Sequence, residues 1–392
     1  MRIQPRGGVL PVRCVACPLS HCVGMRVVVV GVGSIGRRHA QCLLERGDDG
    51  LIVELCESNG EQLAMAFDPT TTSSLYRWRD ELRVWDDFSQ MLADPPDAAL
   101  ICTPPVAHCR QTVACLGRGI HVLCEKPMSK TIYEGEEMRR AAAQSGAVLA
   151  IGYTMHFSPA LRRIRGIVSS GELGQIAHCH WHVGTLRTLI NSKSNWQADT
   201  DYALLLDYGH QPDSLFWLLG EAPRSVYAVG ANARPIPCPE VPGRMITARP
   251  MAVSLTLGFE SELVATINLN YVQSPDQSSL TIVGDRGWLQ WDGIAGTITR
   301  GALAPAGGGE ELPATVEDAV PQGHASPNRN QMYVDEHSMF FDCIAGRATP
   351  GEFGLSADDA IVAQYVIGEA AASIESEGVV HLPGSLGSTA RL

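Results

Sequence analysis

Lys126 is the residue whose type and position most directly suggest chemistry on a hydroxyl group. It follows a predicted strand over 120–124, in the sequence Glu125-Lys126-Pro127, and proline restricts the backbone at that point. A cation at such a strand end can hydrogen-bond a reacting hydroxyl and stabilise the alkoxide that develops from it. The alternative is a salt-bridged lysine on the protein surface.

Asp207 and His210 form a second candidate pair. They are three residues apart on a predicted helix over 203–218, which places them on one helix face. Histidine exchanges a proton near neutral pH, and a neighbouring carboxylate can orient the ring and stabilise its charged form. In the oxidative direction we expect His210 to take the hydroxyl proton, with Asp207 orienting its imidazole. Lys126 is the alternative acceptor if burial lowers its pKa, and a buried histidine bonded to a helix neighbour is the structural alternative for His210.

A glycine-rich turn, G-x-G-x-x-G over residues 31–36, lies between a predicted strand over 26–30 and a predicted helix over 34–46. In such a turn the first glycine permits the tight bend, the second lets the backbone approach a pyrophosphate, and the third lets the helix pack on the strand. The free N–H groups and the positive dipole end of the helix then face the phosphates. The residues of this turn predicted to contact the cofactor are Gly31, Gly33, Ser34, Ile35 and Gly36.

Glu57 indicates which dinucleotide is bound. It follows a predicted strand over 51–56, 21 residues after Gly36, where a carboxylate binds the adenosine ribose hydroxyls. A carboxylate there repels the 2′-phosphate of NADP, so we predict NAD as the cofactor. NADP remains possible because Arg37 or Arg38 could fold over the adenine end.

Strands and helices alternate over residues 25–150, which predicts a doubly wound parallel sheet that binds a dinucleotide, a Rossmann domain. Ligands of such sheets bind beyond the carboxyl ends of the strands. The predicted strands are 26–30, 51–56, 83–85, 98–102, 120–124 and 147–151, and the predicted helices are 34–46, 60–66, 87–93, 106–118 and 131–145.

Residues 151–385 predict a second α/β domain with a large, mostly antiparallel open sheet, for substrate binding and oligomerisation. A polar loop over 184–200 carries Arg187 and Lys193, which could hold a substrate phosphate or carboxylate or could be solvated charges. A Gly/Pro/Ala-rich stretch over 302–327 predicts a loop. Besides the helix over 203–218, the predicted helices are 159–169, 330–345 and 356–376, and the predicted strands are 175–183, 225–231, 248–258, 262–272, 278–283 and 288–292.

Several motifs, taken in this order and spacing, make residues 25 to about 383 resemble the glucose–fructose oxidoreductase / inositol dehydrogenase family, Gfo/Idh/MocA. The resemblance rests on the glycine-rich turn, T-P-P-x-x-H over 103–108, E-K-P over 125–127, F-x-P over 157–159, D-x-x-H-x-x-D over 207–213 and G-D-R-G over 284–287.

The resemblance implies a Rossmann domain followed by an α/β domain, with the nicotinamide in the cleft between them and the open sheet forming a homodimer or homotetramer. It also implies hydride transfer to or from a hydroxyl/keto carbon of a sugar, a sugar nucleotide or phosphate, or a cyclitol. The lysine of E-K-P and an Asp/His pair would form the substrate site. Beyond the glycine-rich turn, the predicted cofactor contacts are Glu57, Thr103, Pro104, His108, Glu125 and Lys126, and the predicted substrate contacts are Lys126, Tyr153, His156, Asp207 and His210.

The sequence departs from the family pattern in three places. Many members have four residues from Asp to His where this chain has three, and the usual Gly-Gly-Gly before that Asp is replaced by residues such as Tyr202 and Ala203. His156 stands where an arginine commonly precedes F-x-P. These differences affect the assignment of the base and the substrate class. Two other functions therefore stay open: a glycosidase that retains its NAD, and a non-catalytic dinucleotide-bound sensor.

The composition excludes several other classes. A net charge of −12 without a Lys/Arg cluster argues against nucleic-acid binding, and no apolar run reaches the length of a membrane span. The 12 cysteines are not spaced like a secreted disulfide framework, so we expect a reducing cytoplasm. Residues 1–24 are expected to be an unstructured extension.

Two histidine- or cysteine-rich segments suggest a metal, and we predict none at either. Cys14, Cys17, His21 and Cys22 are too closely spaced to close a tetrahedral zinc site. The histidines at 178, 180 and 182 share one strand face, but alternate positions on one strand rarely converge on one ion. We expect that histidine face to be solvent-exposed or to face another subunit.

Overall fold

The computed structural model describes residues 24–48, 50–191, 200–237, 245–246, 249–303, 314–318, 329–384 and 386. The predictions for residues 1–23, including the four possible zinc ligands, and for Lys193 lie outside these residues.

The N-terminal half is the predicted parallel sheet. Its six strands have the order β3-β2-β1-β4-β5-β6, and all of its pairings are parallel. Four consecutive valines of β1 are at most 1% exposed, as expected for a central strand with helices on both faces. The strands are β1 Arg26–Val30, β2 Ile52–Cys56, β3 Arg83–Trp85, β4 Ala98–Ile101, β5 His121–Glu125 and β6 Leu149–Gly152.

Five helices alternate with these strands. They are α1 Ser34–Arg46, α2 Gly60–Ala66, α3 Phe88–Ala93, α4 Pro105–Leu116 and α5 Ile132–Ser145.

The second half forms the predicted open sheet, with nine strands in the order β16-β15-β14-β13-β7-β12-β11-β8-β17. The β7–β12 pairing is parallel and the other pairings are antiparallel. These strands are β7 Ile176–Gly184, β8 Ser225–Ala231, β11 Ala252–Gly258, β12 Val264–Asn270, β13 Gln277–Gly284, β14 Gly287–Asp292, β15 Thr297–Ala302, β16 Thr315–Asp318 and β17 Val380–His381, and a separate pair is formed by β9 Ile236–Pro237 and β10 Met245–Ile246.

Six helices among the described residues accompany this sheet, and buried residues alternate with exposed ones along its central strands, so one face is covered. The helices are α6 Pro159–Ser169, α7 Arg187–Asn191, α8 Ala203–Asp207, α9 His210–Leu219, α10 Arg329–Ile344 and α11 Ala357–Ser376.

The prediction of one helix over 203–218 is wrong, because α8 ends at Asp207 and α9 begins at His210. Pro212 gives the physical reason. In a continuous helix its missing N–H would leave the Tyr208 carbonyl without a partner and its ring would clash there, whereas the first turn of a new helix accepts proline. Asp207 and His210 therefore lie at the facing ends of two helices.

Two loop predictions are also corrected. The segment expected as a polar loop contains α7, and β16 lies inside the stretch 302–327 that was expected to be a loop.

Helix α10 returns to the N-terminal half and packs against α1. Arg46 Nη1 of α1 donates to the Val334 carbonyl at 3.0 Å and to Ser338 Oγ at 2.8 Å. Late chain segments therefore contribute to the surroundings of the parallel sheet.

Candidate active site

The glycine-rich turn lies at the carboxyl end of β1. Gly31 has φ +87°, which favours glycine, and a Cβ there would approach Thr103 to 2.9 Å. A Cβ at Gly36 would overlap the Gly31 carbonyl oxygen, whereas a Cβ at Gly33 would meet nothing within 4 Å. Two glycines thus permit close packing, and the third leaves open space beside the backbone, as a bound pyrophosphate requires.

The N terminus of α1 is free to bind an anion. Its N-cap residue is Gly33, which has no side chain to cap it, and its first turn carries no acidic residue. The N–H groups of Ser34, Ile35 and Gly36 are therefore not engaged by a capping side chain. We call this helix end and the turn over 31–36 the cofactor edge.

Glu57 follows β2 beside this edge. Its Oε2 accepts the Val32 N–H at 2.9 Å, and its Oε1 accepts the Asn59 N–H at 2.8 Å. The carboxylate is thus fixed next to the glycine-rich turn and keeps lone pairs for a ribose hydroxyl.

Thr103 and Pro104 lie at the carboxyl end of β4, next to the cofactor edge; Thr103 is half-buried and Pro104 is exposed. His108 is 1% exposed, and its ring nitrogens bond the carbonyls of Pro127 at 2.9 Å and Thr103 at 2.7 Å. It ties the loop after β4 to the loop after β5, and its direct contact with the cofactor stays a prediction.

The Glu125 carboxylate is engaged within the protein. It accepts the Lys126 main-chain N–H at 3.0 Å and lies 2.9 Å from His39 Nε2. It thus holds the backbone of Lys126, and a contact of Glu125 with the cofactor stays a prediction.

Lys126 extends from the end of β5 to the end of α8. Its Nζ donates to the Asp207 carbonyl oxygen at 2.6 Å and lies 3.7 Å from Asp207 Oδ1. The other carboxylate oxygen, Oδ2, accepts the Tyr271 hydroxyl at 2.9 Å. Asp207 is therefore bonded to Lys126 and Tyr271, and Tyr271 is a site residue that the sequence analysis missed.

His210 lies beside this group but does not bond Asp207 in the described structure. Its Nδ1 is buried and has no hydrogen-bond partner among the described residues. Burial, the charge of Lys126 and that of His156 lower the pKa of His210 well below its ordinary value. The ring is therefore neutral at neutral pH and able to accept a proton, but the prediction that Asp207 orients it is corrected. Lys126, Asp207, Tyr271 and His210 are called the catalytic cluster below.

Tyr153 and His156 lie behind the catalytic cluster. The Tyr153 ring packs edge-on against the His210 ring, with 5.7 Å between the ring centroids. The Tyr153 hydroxyl is buried and has no hydrogen-bond partner among the described residues. His156 is 2% exposed, and its nitrogens bond Asp213 Oδ2 and the Phe353 carbonyl, each at 2.8 Å. Both ring nitrogens of His156 are therefore engaged within the protein, and its contact with a substrate stays a prediction.

The histidine face of β7 consists of His178, His180 and His182, and two of these side chains lie within hydrogen-bond distance of polar neighbours. His180 Nδ1 lies 2.8 Å from Thr266 Oγ1, and His182 Nε2 lies 2.8 Å from Gln273 Oε1. Within the described part of the chain, no three His, Cys, Asp or Glu side chains are grouped as a metal site would require.

Comparison with known families identifies the chain. Residues 25–153 match the oxidoreductase family, NAD-binding Rossmann fold model of Gfo/Idh/MocA, and residues 161–290 match the Gfo/Idh/MocA C-terminal domain. The chain belongs to the Gfo/Idh/MocA oxidoreductase family. The open space at Gly33 and the uncapped helix end fit the dinucleotide that this family binds.

Individual proteins are similar to this chain in sequence or in structure. D-glucoside 3-dehydrogenase of Escherichia coli is 31% identical over 205 residues, 50% of this chain, and the chain thus spans about half of that protein, 54%. Inositol 2-dehydrogenase 2 of Mycolicibacterium vanbaalenii is 25% identical over 72% of this chain and 77% of its own length. The WlbA dehydrogenase of Bordetella pertussis, solved with NADH and UDP-GlcNAcA, superposes with a TM-score of 0.69 at 21% identity, over 92% of this chain and 99% of that chain.

Among the described residues, no helix is long and apolar enough to cross a bilayer.

Proposed function

We propose that this protein catalyses NAD-dependent hydride transfer at a hydroxyl/keto carbon of a sugar, a sugar derivative or a cyclitol. The observation that carries the proposal is the placement of two features on one sheet. The cofactor edge follows β1, and Lys126 follows β5, two strands away across β4. When bound, the nicotinamide accepts or supplies the hydride, and the catalytic cluster handles the proton of the hydroxyl.

Lys126 and His210 have complementary roles in this proposal. The Lys126 ammonium, held by Asp207, is a hydrogen-bond donor to the substrate oxygen and stabilises negative charge as the hydroxyl proton leaves. The His210 ring is neutral and half-buried, so it is the proposed acceptor of that proton in the oxidative direction. Asp207 and Tyr271 position the ammonium through their own hydrogen bonds.

NAD is the proposed cofactor rather than NADP. The Glu57 carboxylate is held by two main-chain N–H groups beside the glycine-rich turn. A second negative charge at close range, such as a 2′-phosphate, would be repelled there. The two arginines that could offset this repulsion are largely buried, Arg37 at 6% and Arg38 at 8% exposed.

The substrate class is proposed from the chemistry of the cluster and from the relatives. Lysine, aspartate and histidine suit an alcohol carbon flanked by other hydroxyls, and the named relatives are dehydrogenases of a glucoside and an inositol. A small polyhydroxylated molecule is therefore the proposed partner.

We also propose a homodimer or homotetramer formed through the outer face of the nine-stranded sheet. On that face Tyr227 is 39%, Val229 is 52% and Val264 is 43% exposed. Such apolar side chains on a sheet face without a covering layer favour pairing with a second copy. Light scattering at micromolar concentration should give a multiple of the chain mass, and a monomer would contradict this proposal.

A cytoplasmic location is proposed from the cysteines. The eight cysteines in the described ranges are all free and buried or half-buried. Burial raises the pKa of Cys42 and Cys179 to about 12. Such thiols are unreactive, and their state fits a reducing compartment.

A substrate panel tests the activity directly. Free sugars, sugar phosphates, sugar nucleotides and inositols are each mixed with the protein and NAD or NADP, and absorbance is followed at a wavelength specific for reduced nicotinamide. The proposal expects reduction with at least one polyol class, faster with NAD. A complete panel without turnover in either direction would contradict it.

A further inference from the structure

A buried row of hydrogen-bonding side chains lies behind Lys126 and has no part in the proposed reaction. Glu125 Oε2 accepts the Lys126 main-chain N–H, and Glu125 Oε1 lies 2.9 Å from His39 Nε2. His39 Nδ1 lies in turn 2.7 Å from His337 Nε2. His39 belongs to α1 and His337 to α10, so the row connects the lysine to a helix from the far end of the chain.

The direction of each hydrogen bond follows from the protonation states. Burial opposes ionisation of Glu125, but the hydrogen bond from His39 and the charge of Lys126 outweigh it and lower the pKa of Glu125. An ionised carboxylate only accepts hydrogen bonds. His39 Nε2 must therefore carry a hydrogen and donate it to Glu125.

The histidine pair is ordered by the same reasoning. Burial lowers the pKa of His337 well below its ordinary value, with a smaller effect from the charge of Arg46, so the ring is neutral and has one N–H. His337 Nδ1 has no hydrogen-bond partner among the described residues, and a hydrogen there would be a buried unsatisfied donor. The hydrogen is therefore on Nε2, and His337 donates to His39 Nδ1.

The side chains of the row are buried from solvent. His39 is 1% exposed and His337 is 0% exposed, and the Tyr333 ring packs edge-on against His39 at 5.0 Å. The neighbouring Glu336 is also 0% exposed, and burial and the charge of Glu125 raise its pKa well above its ordinary value. In such an environment hydrogen-bond geometry is strongly determined, because water cannot replace a lost partner.

We propose that His39 and His337 are positioning residues that hold Lys126 in its reactive place through Glu125. The inference rests on the proposed function, since it assumes that Lys126 acts on the substrate. A shift of about 1 Å in a positioned catalytic group can cost about 10²-fold in rate. The row fixes the Lys126 main chain, while Asp207 fixes its ammonium.

Two substitutions at position 39 separate the two ends of the imidazole. Gln can place an N–H near the position of Nε2 and so keep the bond to Glu125, whereas Asn reaches only the position of Nδ1 and so keeps only the side facing His337. We expect His39→Gln to retain kcat within about 3-fold and His39→Asn to lose about 10-fold or more. The KM for NAD should be unchanged in both.

Arg46→Met is the matched control. It removes the hydrogen bonds of Arg46 to Val334 and Ser338 between the same two helices, without touching Glu125. A lower Tm with normal kcat is expected for Arg46→Met. His337→Leu, which keeps the donor from His39 to Glu125, should lose less kcat than His39→Asn.

The outcomes distinguish the inference from the proposed function. Equal kcat in folded His39→Gln and His39→Asn would overturn the inference, as would a loss of kcat in Arg46→Met matching that of His39→Asn. If His39→Asn does not fold, an unchanged kcat in His337→Leu would overturn it, and a reduced kcat at unchanged KM for NAD would support it. If Lys126→Ala itself retains full activity, the proposed function fails instead.

Discussion

The cofactor edge and the catalytic cluster lie at the same end of one parallel sheet, but the first is built mainly from main-chain groups and the second from side chains. At the cofactor edge the binding groups are main-chain N–H groups, and the decisive side-chain property is the absence of a Cβ at Gly31, Gly33 and Gly36. In the catalytic cluster the working groups are ionisable side chains, three of which, those of Lys126, Asp207 and Tyr271, contact one another. Binding at the first region therefore depends on shape, whereas chemistry at the second depends on charge.

This difference predicts that the two functions can be lost separately. A substitution in the catalytic cluster should lower turnover and leave cofactor affinity intact. A substitution at the cofactor edge should do the reverse or prevent folding. The predictions below test that separation, from the largest expected effect to the smallest.

Lys126→Ala should have the largest effect on turnover. It removes the ammonium that we propose as the donor to the substrate oxygen, and kcat should fall by about 10²-fold or more, as is typical of positioned acid–base groups. The Kd for NADH, measured by fluorescence titration, should change little. Lys130→Ala is the matched control, because Lys130 is exposed four residues later on the same loop. A parallel rise in Kd for NADH would show that the two regions are not separable.

His210→Ala should also lower kcat by about 10²-fold if the histidine accepts the proton. The pH profile gives a second test. Because the pKa of His210 is lowered below its ordinary 6.5, the neutral ring persists as the pH falls through that value. When the pH is lowered through 6.5, kcat/KM of the wild type for oxidation should therefore show no decrease that is due to protonation of His210. Near-normal kcat in His210→Ala, with Lys126→Ala inactive, would assign proton acceptance to the lysine.

Two glycines of the cofactor edge should respond differently to the same change. Gly33→Ala adds a methyl group into open space, so Tm should be retained, but the methyl occupies the approach of the pyrophosphate, and the Kd for NAD should rise about 10-fold. Gly36→Ala forces overlap with the Gly31 carbonyl and should lower Tm, since the helix must move away from the strand. Equal affinity of Gly33→Ala and wild type for NAD would contradict the placement of the phosphates.

Glu57→Ala should have the smallest effect, a change in preference between cofactors. Removing the carboxylate eliminates its repulsion of a 2′-phosphate, so the ratio of Kd for NADP to Kd for NAD should fall by about 10-fold. The measurement is a titration of both cofactors against both proteins. Glu61→Ala, on the exposed start of α2, is the control. An unchanged ratio would remove Glu57 from cofactor selection.

The cofactor edge could be predicted from the sequence because each of its features is local. The valine run of β1, the three glycines and Glu57 lie within one strand–helix–strand unit, and α1 has the predicted bounds. Periodicity and glycine spacing report such structure directly. The family motifs likewise predicted the open sheet and the family itself, both of which are confirmed.

The catalytic cluster could be predicted only in part. The lysine, aspartate and histidine were found, but their mutual contacts depend on the break between α8 and α9, for which Pro212 was the available signal. The partners that orient them are distant in sequence: Tyr271 is 64 residues from Asp207, and His337 is 298 residues from His39. No local pattern reports such contacts, because they arise from packing between elements.

The most direct test of the account follows the hydrogen itself. A substrate identified in the panel is prepared with deuterium on the reacting carbinol carbon and is converted with NAD, and the nicotinamide product is isolated for mass spectrometry. The account predicts reduced cofactor that carries one deuterium and accumulates in step with the keto product. Conversion of the substrate without net formation of deuterated NADH would contradict it and would indicate a reaction in which a retained NAD is oxidised again in each cycle.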